Sequence, residues 1–311
     1  MSASNLTTRT YVASRFAIDL GGTPGFLKSL EGGNVKAAVM TEGVSAHNTV
    51  FKSIGIPEID DVSFQIGLSS SPQLNDWIQR SWENNYQRQD GALYTADFNY
   101  EIKSHREFKE ALITEVGFPA CDSASKDAGY MSVKFRPESI TTKPASKGEK
   151  LRGVFSEHQK LWLPANFRLT IDGLEKALKQ CNKVEALTVK QTVVKLESGN
   201  ARIYEIEPGK LEFPNLVFTV PESHAEPLIK WHERFVLEGK NEQTEEKTGS
   251  LTFLAPNLKD ELGEIKFTGI GIFNISADKG EAGNETIRRV KVECYVEDLK
   301  FKPSTSFTKR F

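Results

Sequence analysis

One stretch of this chain is written twice. Glu58–Arg80 reads EIDDVSFQIGLSSSPQLNDWIQR, and Glu212–Arg234 reads EFPNLVFTVPESHAEPLIKWHER. With Trp77 set against Trp231, 154 positions on, Ile59 meets Phe213, Val62 meets Leu216, Phe64 meets Phe218, Ile66 meets Val220 and Leu74 meets Leu228. Each time a period-two apolar alternation runs into a short segment of helical spacing. A supersecondary unit that recurs at a fixed interval restricts the chain to a tandem arrangement. The 311 residues suit two domains of roughly 100–200 residues each, and 38% hydrophobic content supplies apolar mass for two cores.

Around this unit each copy reads as short strands and one helix. In the first copy Phe16, Ile18 and Leu20 alternate, and Gly21–Gly25 breaks the chain. Val35–Val39 and Val50–Ile56 form a hairpin around Thr41–Asn48, and Val62, Phe64, Ile66 and Leu68 mark the clearest strand. Ser71-Pro72 supplies an N-cap and a first-turn proline for a helix bearing Leu74, Trp77 and Ile78. Tyr94, Ala96, Phe98 and Tyr100 share one face of a strand, Glu107–Ile113 reads as a brief helical or turn segment, and Val116–Cys121 with Tyr130–Phe135 closes the domain.

In the second copy Phe167, Leu169 and Ile171 repeat the first strand. Val184–Lys195 and Arg202–Ile206 form a long hairpin, and Ser223 with Glu226 has capping-box spacing ahead of a helix bearing Leu228 and Trp231. Ile270–Phe273 is set against Val116–Pro119 by the same 154-residue interval, and Val290 and Val292 match Met131 and Val133. The expected organisation is a first domain at 11–142, a linker at 143–160, a second domain at 161–302 and a C-terminal tail at 303–311. The expected fold class is mainly β (α+β), two tandem antiparallel β-barrel or sandwich domains with one short helix each.

Charge and composition exclude several functions. A net charge of −2 provides no global field toward nucleic acid or an anionic membrane, so neither partner is expected. No apolar run approaches the ~20 residues that span a bilayer. The N-terminal MSASNLTTRTY has no charged-then-apolar layout of a signal peptide. Cys121, Cys181 and Cys294 are scattered and odd in number, which suits buried free thiols in a reducing compartment. The protein is therefore expected in the cytoplasm during its assembly.

No pattern of catalytic or metal-binding residues stands out. His47, His105, His158, His224 and His232 make no His-Glu-x-x-His motif, and the eight-residue spacing of His224 and His232 suits a helix surface better than a zinc site. Gly21–Ser29 lacks the glycine that precedes the lysine of a phosphate-binding loop. Gly269-Ile-Gly271 lies within a strand, Ser123–Lys126 in a polar loop, and Asp60-Asp61 becomes Pro214-Asn215 in the second copy. Asp278–Glu285 lacks calcium-loop spacing. Phe98, Tyr94 and Tyr100 have no basic groove around them to make a base-stacking surface. The expectation is no catalytic, cofactor-binding or metal residue, no cofactor, and a structural rather than enzymatic role.

The order of elements resembles the tail-tube proteins of contractile phages and of extracellular contractile injection systems. The resemblance is carried by Arg15–Leu20 (RFAIDL) and Asn166–Gly173 (NFRLTIDG) at the start of each copy, by Leu74–Trp82 and Leu228–Phe235, and by the closing strands Val133–Ile140 (VKFRPESI) and Val292–Phe301 (VECYVEDLKF). It implies six-fold rings that stack into a hollow tube whose lumen is lined by the long hairpins, here Val35–Ile56 and Val184–Ile206. Two copies in one chain then imply self-association of three chains into a pseudo-six-fold ring, with sheath, spike or baseplate proteins as further partners, within a phage-tail-like particle or virion. The alternatives are a trimeric hub or tube initiator between spike and tube, and, from another class, a monomeric two-domain binding module.

Overall fold

The period-two alternation becomes an antiparallel β architecture in which the second copy repeats the pairing scheme of the first. The computed structural model describes residues 15–21, 24–43, 50–68, 71–83, 86–145, 148–151, 162–197, 204–277 and 287–303. The first copy contains β1 (Arg15–Asp19), β2 (Gly25–Leu27), β3 (Ser29–Gly32), β4 (Val35–Glu42), β5 (Phe51–Ile59), β6 (Val62–Ile66), α1 (Pro72–Trp82), β7 (Gln89–Ala96), β8 (Ile102–Phe118), β9 (Cys121–Asp122), β10 (Met131–Arg136) and β11 (Ser139–Lys143). The second contains β12 (Phe167–Ile171), α2 (Glu175–Leu178), β13 (Lys183–Val184), β14 (Leu187–Leu196), β15 (Glu205–Glu212), β16 (Leu216–Pro221), α3 (Glu226–His232), β17 (Lys247–Leu254), β18 (Glu261–Ala277) and β19 (Arg289–Pro303).

In the first copy the strands run β1-β7-β8-β10-β6-β3. The segment 25–32 meets both ends of this row: β2 pairs with β1, the Lys28 N–H donates to the Gln65 carbonyl at 2.8 Å, and β3 pairs with β6. The row therefore closes into a barrel. Closure works because β6 and β10 present Val62, Phe64, Ile66 and Met131, Val133, Phe135 to one interior, in a register that sets Phe64 against Val133. Helix α1 covers one end. Its N-cap Ser71 accepts the Leu74 N–H, and Leu74, Trp77, Ile78 and Trp82 go into the core.

The second copy repeats the row as β12-β17-β18-β19-β16-β13. It differs where β2 would stand. Leu174–Cys181, aligned only loosely with Phe26–Leu30 in sequence, contributes the four-residue α2, which buries Ala177 and Leu178. Among the described residues no strand joins β12 to β13, so this row stays open there. The second copy thus carries one helix more than expected, and α3 continues into a π-helical turn, Glu233–Leu237, that buries Phe235.

Three readings of the sequence are corrected. Glu107–Ile113 is not helical but the middle of β8, a 17-residue strand. Its alternation is broken by Glu110, whose φ of 52° makes a bulge. Ser223 does not cap α3. Glu222–His224 is a 3-10 turn, and Ala225 precedes α3 with no side-chain cap. The 154-residue interval does not extend to β18, because pairing with β19 sets Ile275 opposite Val292 as Val116 stands opposite Val133. Val116 therefore corresponds to Ile275, at an interval of 159.

That longer interval is supported by paired backbone irregularities. The β7–β8 register shifts between Gln89 and Gly91, and the β17–β18 register shifts between Lys247 and Gly249. Glu110 and Gly269, opposite those shifts, both have positive φ. A Cβ on Gly91 would lie 2.5 Å from the Asp19 carbonyl oxygen, and one on Gly249 would lie 2.5 Å from that of Thr170. The same close backbone crossing, tolerable only to glycine, occurs in both copies.

Candidate assembly seam

The two copies do not simply sit side by side; each lends a strand to the other's sheet. The start of β14 in the second copy adds to the end of β8 in the first, with Leu187 opposite Phe118, Val189 opposite Val116 and Lys190 opposite Glu115. In return β9 of the first copy pairs with β13 of the second, with Cys121 opposite Val184. β7 pairs with β8 no further than Ala111, which leaves the Glu115–Phe118 edge free to take β14.

An apolar plug and a polar clamp hold this seam. Phe118 is 2% exposed. Its ring stacks on Phe253 at 5.8 Å and tilts against Phe301 at 5.2 Å, both from the second copy, and meets Trp82 at 6.4 Å. The Gln79 side chain on α1 donates to the Phe301 carbonyl at 2.7 Å. The clamp centres on Arg88. Its guanidinium donates to Glu138 at 2.6 Å, to the Ile206 carbonyl at 2.7 Å and to Glu207 at 2.7 Å. Glu138 also accepts the Ile206 N–H at 2.9 Å. A planar guanidinium bridging two carboxylates and a carbonyl fixes orientation as well as contributing energy. Beside it Lys195 on β14 reaches Glu58 on β5 at 2.7 Å, so the two long hairpins are neighbours.

The equivalent elements on the outer flanks have no such mate. The 154-residue interval holds across the hairpins: Lys190 faces Glu212 as Lys36 faces Glu58, and Val193 faces Pro208 as Val39 faces Ile54. β4 and β5 thus correspond to β14 and β15, yet among the described residues they pair only with each other. They expose Val39 at 64%, Ile54 at 65% and Phe51 at 56%, together with Val35, Met40 and Ile56. A two-stranded ribbon with apolar residues on show is an incomplete structure. The counterpart of the β8 edge is Asn274–Ala277 on β18. It pairs with β19 on one side, and β17 reaches β18 no further than Ile270 on the other. One donor hairpin and one acceptor edge are therefore left over.

The residues weighed in sequence for chemistry are placed apart. His105 lies on β8 with its ring 4.7 Å from Tyr94, and His224 contacts Ser223. Lys28 lies over the Tyr130 ring at 4.0 Å. Asp60 pairs with Lys36 and Asp61 with Arg136, each at 2.6 Å. Ala124 and Asp122 close a turn within the Ser123–Lys126 region. His47, His158 and the loop 278–285 lie outside the described residues. Among the described residues no three His, Cys, Asp or Glu side chains are grouped to hold a metal ion. No helix among them is long and apolar enough to cross a membrane. An open cleft of about 850 Å³ is lined by Asp19, Tyr94, Asn99, Tyr100, Glu149 and Lys150. Phe98 is exposed beside it, with the Arg15 guanidinium over its ring.

The long hairpins are legible in the sequence, and the clamp is not. Arg88, Glu138 and Glu207 are scattered through polar segments, and only the strand addition brings them together.

Solved structures similar to part of the chain include a chain of the sheath-tube complex of an extracellular contractile injection system, PVC, in its extended state. It is 16% identical, with 47% of this chain and 99% of that one covered and a TM-score of 0.41. A chain of the tube-terminating cap of the anti-feeding prophage is 16% identical over 45% of this chain and 99% of its own, with a TM-score of 0.36. Hcp1 from Flavobacterium johnsoniae is 15% identical over 44% and 95%, with a TM-score of 0.26. No protein-family model and no curated protein matches the chain.

Proposed function

We propose that this protein is a structural, non-enzymatic ring subunit in which three chains, each contributing tube-like domains at 11–142 and 161–302, close a pseudo-six-fold ring of the inner tube of a contractile tail or injection system. One observation carries the reading. The chain completes one strand addition internally, β14 onto β8, and among the described residues leaves the equivalent donor β4–β5 and the equivalent acceptor Asn274–Ala277 unused. A donor and a different acceptor on one molecule make a heterologous contact, which generates rings when the rotation closes and filaments when it does not. Six copies at two per chain close with three chains. The exposed apolar residues of β4 and β5 would then be covered by the neighbour, as Val189 is covered within the chain. The family resemblance in Arg15–Leu20, Leu74–Trp82 and their repeats supports the same assembly. Sheath, spike or baseplate proteins are the partners that such a ring would meet.

A trimeric hub or tube initiator uses the same ring and differs only in whether rings stack. The test is native mass spectrometry and negative-stain microscopy of the full-length chain. Particles of three 34.7 kDa chains with a central hole are expected; long stacks would favour the tube, and single rings the hub. A monomer at every concentration would overturn the ring and direct attention to the tyrosine-lined cleft as the site of a binding module.

A further inference from the structure

We propose that residues 10–14 of one chain complete the seam between chains, with Tyr11 seated against Arg288 of a second copy of this chain, the copy whose Asn274–Ala277 edge takes β4–β5. The inference rests on the ring proposed above and adds a contact that the hairpin alone does not supply.

Trp162 is the template. It precedes β12 and belongs to the second copy, yet it is wedged between the copies. It is buried. Its ring meets Phe253 of its own copy at 5.0 Å, and its carbonyl accepts the N–H of Gly129, ahead of β10 in the first copy, at 2.8 Å. A Cβ on Gly129 would lie 2.7 Å from the Trp162 ring. The segment that enters a copy thus reaches back over the copy that accepts its hairpin.

The first copy has an entering segment too. β1 corresponds to β12 at an interval of 151, because Asp19 crosses Gly91 as Thr170 crosses Gly249, and Phe16 faces Thr95 as Phe167 faces Phe253. Carried back from Phe16 through the sequence, that interval sets Tyr11 on Trp162 and Val12 on Leu163. Tyr11 lies outside the described residues, and its place follows from Trp162. On the accepting side Gly129 corresponds to Arg288, because Met131 faces Ile66 as Val290 faces Val220.

The three positions have changed together. Within the chain a tryptophan sits between Gly129, which has no side chain, and the Phe253 ring. Between chains the smaller ring of Tyr11 would sit between a long side chain, Arg288, and a short one, Thr95. What is added on one side is removed on the other, as close packing requires. The space is present. Thr95 is half-buried, and Thr142 and Ala277, the counterparts of Phe301 and Phe118, are exposed. Three rings that plug the seam within the chain therefore have small counterparts in the seam between chains. Arg288 also suits an aromatic partner. Its side chain starts where a Cβ on Gly129 would run into the Trp162 ring. It is exposed, and its Nε meets Glu222 at 3.0 Å. A neutral tyrosine stacks on a guanidinium without breaking such an ion pair. Ile287 beside it is exposed as well, and the same arm would cover it.

The test uses the full-length chain with ring mass read against concentration. Tyr11→Ala is expected to raise the half-assembly concentration ~10-fold, Tyr11→Phe to leave it near that of the wild type, and neither to change the monomer's melting. Tyr11→Ala and Arg288→Ala together are expected to cost less than the sum of their separate losses, because either one removes the contact. Light and isotopically heavy chains carrying p-benzoylphenylalanine in place of Tyr11 are mixed, assembled and irradiated, and links to Ile287–Arg289 of the other isotope are expected. Rings that form at unchanged concentration in Tyr11→Ala, additive losses in the double variant, or links confined to one isotope would each overturn the arm contact and leave the ring standing. Wild-type chains that never assemble would overturn the ring and the contact with it.

Discussion

Removing the Phe118 ring should weaken both copies at once. The residue belongs to the first copy but packs against Phe253 and Phe301 of the second, and it is 2% exposed. Phe→Ala at a buried site costs about 3–5 kcal/mol through lost transfer energy and the cavity left behind. The upper half of that range applies here, because three ring contacts, to Trp82, Phe253 and Phe301, are lost together, each worth about 0.5–1.5 kcal/mol in pairs of this kind. Against a total stability of roughly 5–15 kcal/mol, about 4 kcal/mol is a large share. Urea unfolding would be followed by far-UV circular dichroism and by the emission of single-tryptophan variants retaining Trp82 or Trp162. The two tryptophans report on different copies but flank the same phenylalanine cluster. Phe118→Ala is expected to move both emission transitions together to lower urea, with Phe98→Ala, at a site 75% exposed, as the unaffected control. Two separate transitions with the Trp162 signal unmoved, or a loss below about 1 kcal/mol, would refute the claim that the seam is a shared core.

Other outcomes are equally specific. Gly249→Ala places a Cβ 2.5 Å from the Thr170 carbonyl oxygen and is expected to destabilise by about 1–3 kcal/mol, measured by thermal melting; Gly91→Ala should match it. Met40→Pro on β4, opposite Ser53 as Val194 stands opposite Glu207, is expected to abolish rings while leaving most of the circular dichroism. Val193→Pro is expected to act more mildly, because the Ile206 N–H and carbonyl turn to Glu138 and Arg88 and so make Val194–Glu207, not Val193–Pro208, the hydrogen-bonded pair. Sedimentation velocity showing normal rings in Met40→Pro would count against the β4–β5 hairpin. Burial pushes the Cys121 and Cys181 thiols up to about 12, and pushes Cys294 up as well. All three are therefore protonated at pH 8, where the thiolate is the reactive form. Ellman's reagent should react only slowly with native protein at that pH and with all three cysteines in guanidinium chloride.

The sequence displayed the strands whose two faces differ. Val62, Phe64 and Ile66 alternate with polar residues because one side of β6 faces the core and the other does not, and Ser71-Pro72 announces α1 through a local hydrogen bond. β8 was illegible at 107–113 because a bulge at Glu110 shifts the alternation, and a shift of one residue exchanges the faces of a strand. The same physics defeated the fixed interval. Extra residues between α3 and β18 carry it from 154 to 159, an odd change that no tryptophan match reveals. The small helix α2 lies below the length at which helical periodicity can be read. The seam was hidden for a different reason. Arg88, Glu138 and Glu207 become neighbours only through a pairing between copies, and nothing local in the chain encodes that.

The strand addition of β14 onto β8 joins two copies already connected by a peptide chain. Its formation is unimolecular, with a local concentration on the order of millimolar or above for a short tether, so dilution does not weaken it as it weakens contacts between chains. A pseudo-six-fold ring of three such chains has six seams and only three of them obey mass action. Its closure would then scale with the third power of subunit concentration, where six separate copies would require the sixth. A cell could raise the rings at low expression and keep the two unlike hairpins in strict equality without regulating two genes against each other.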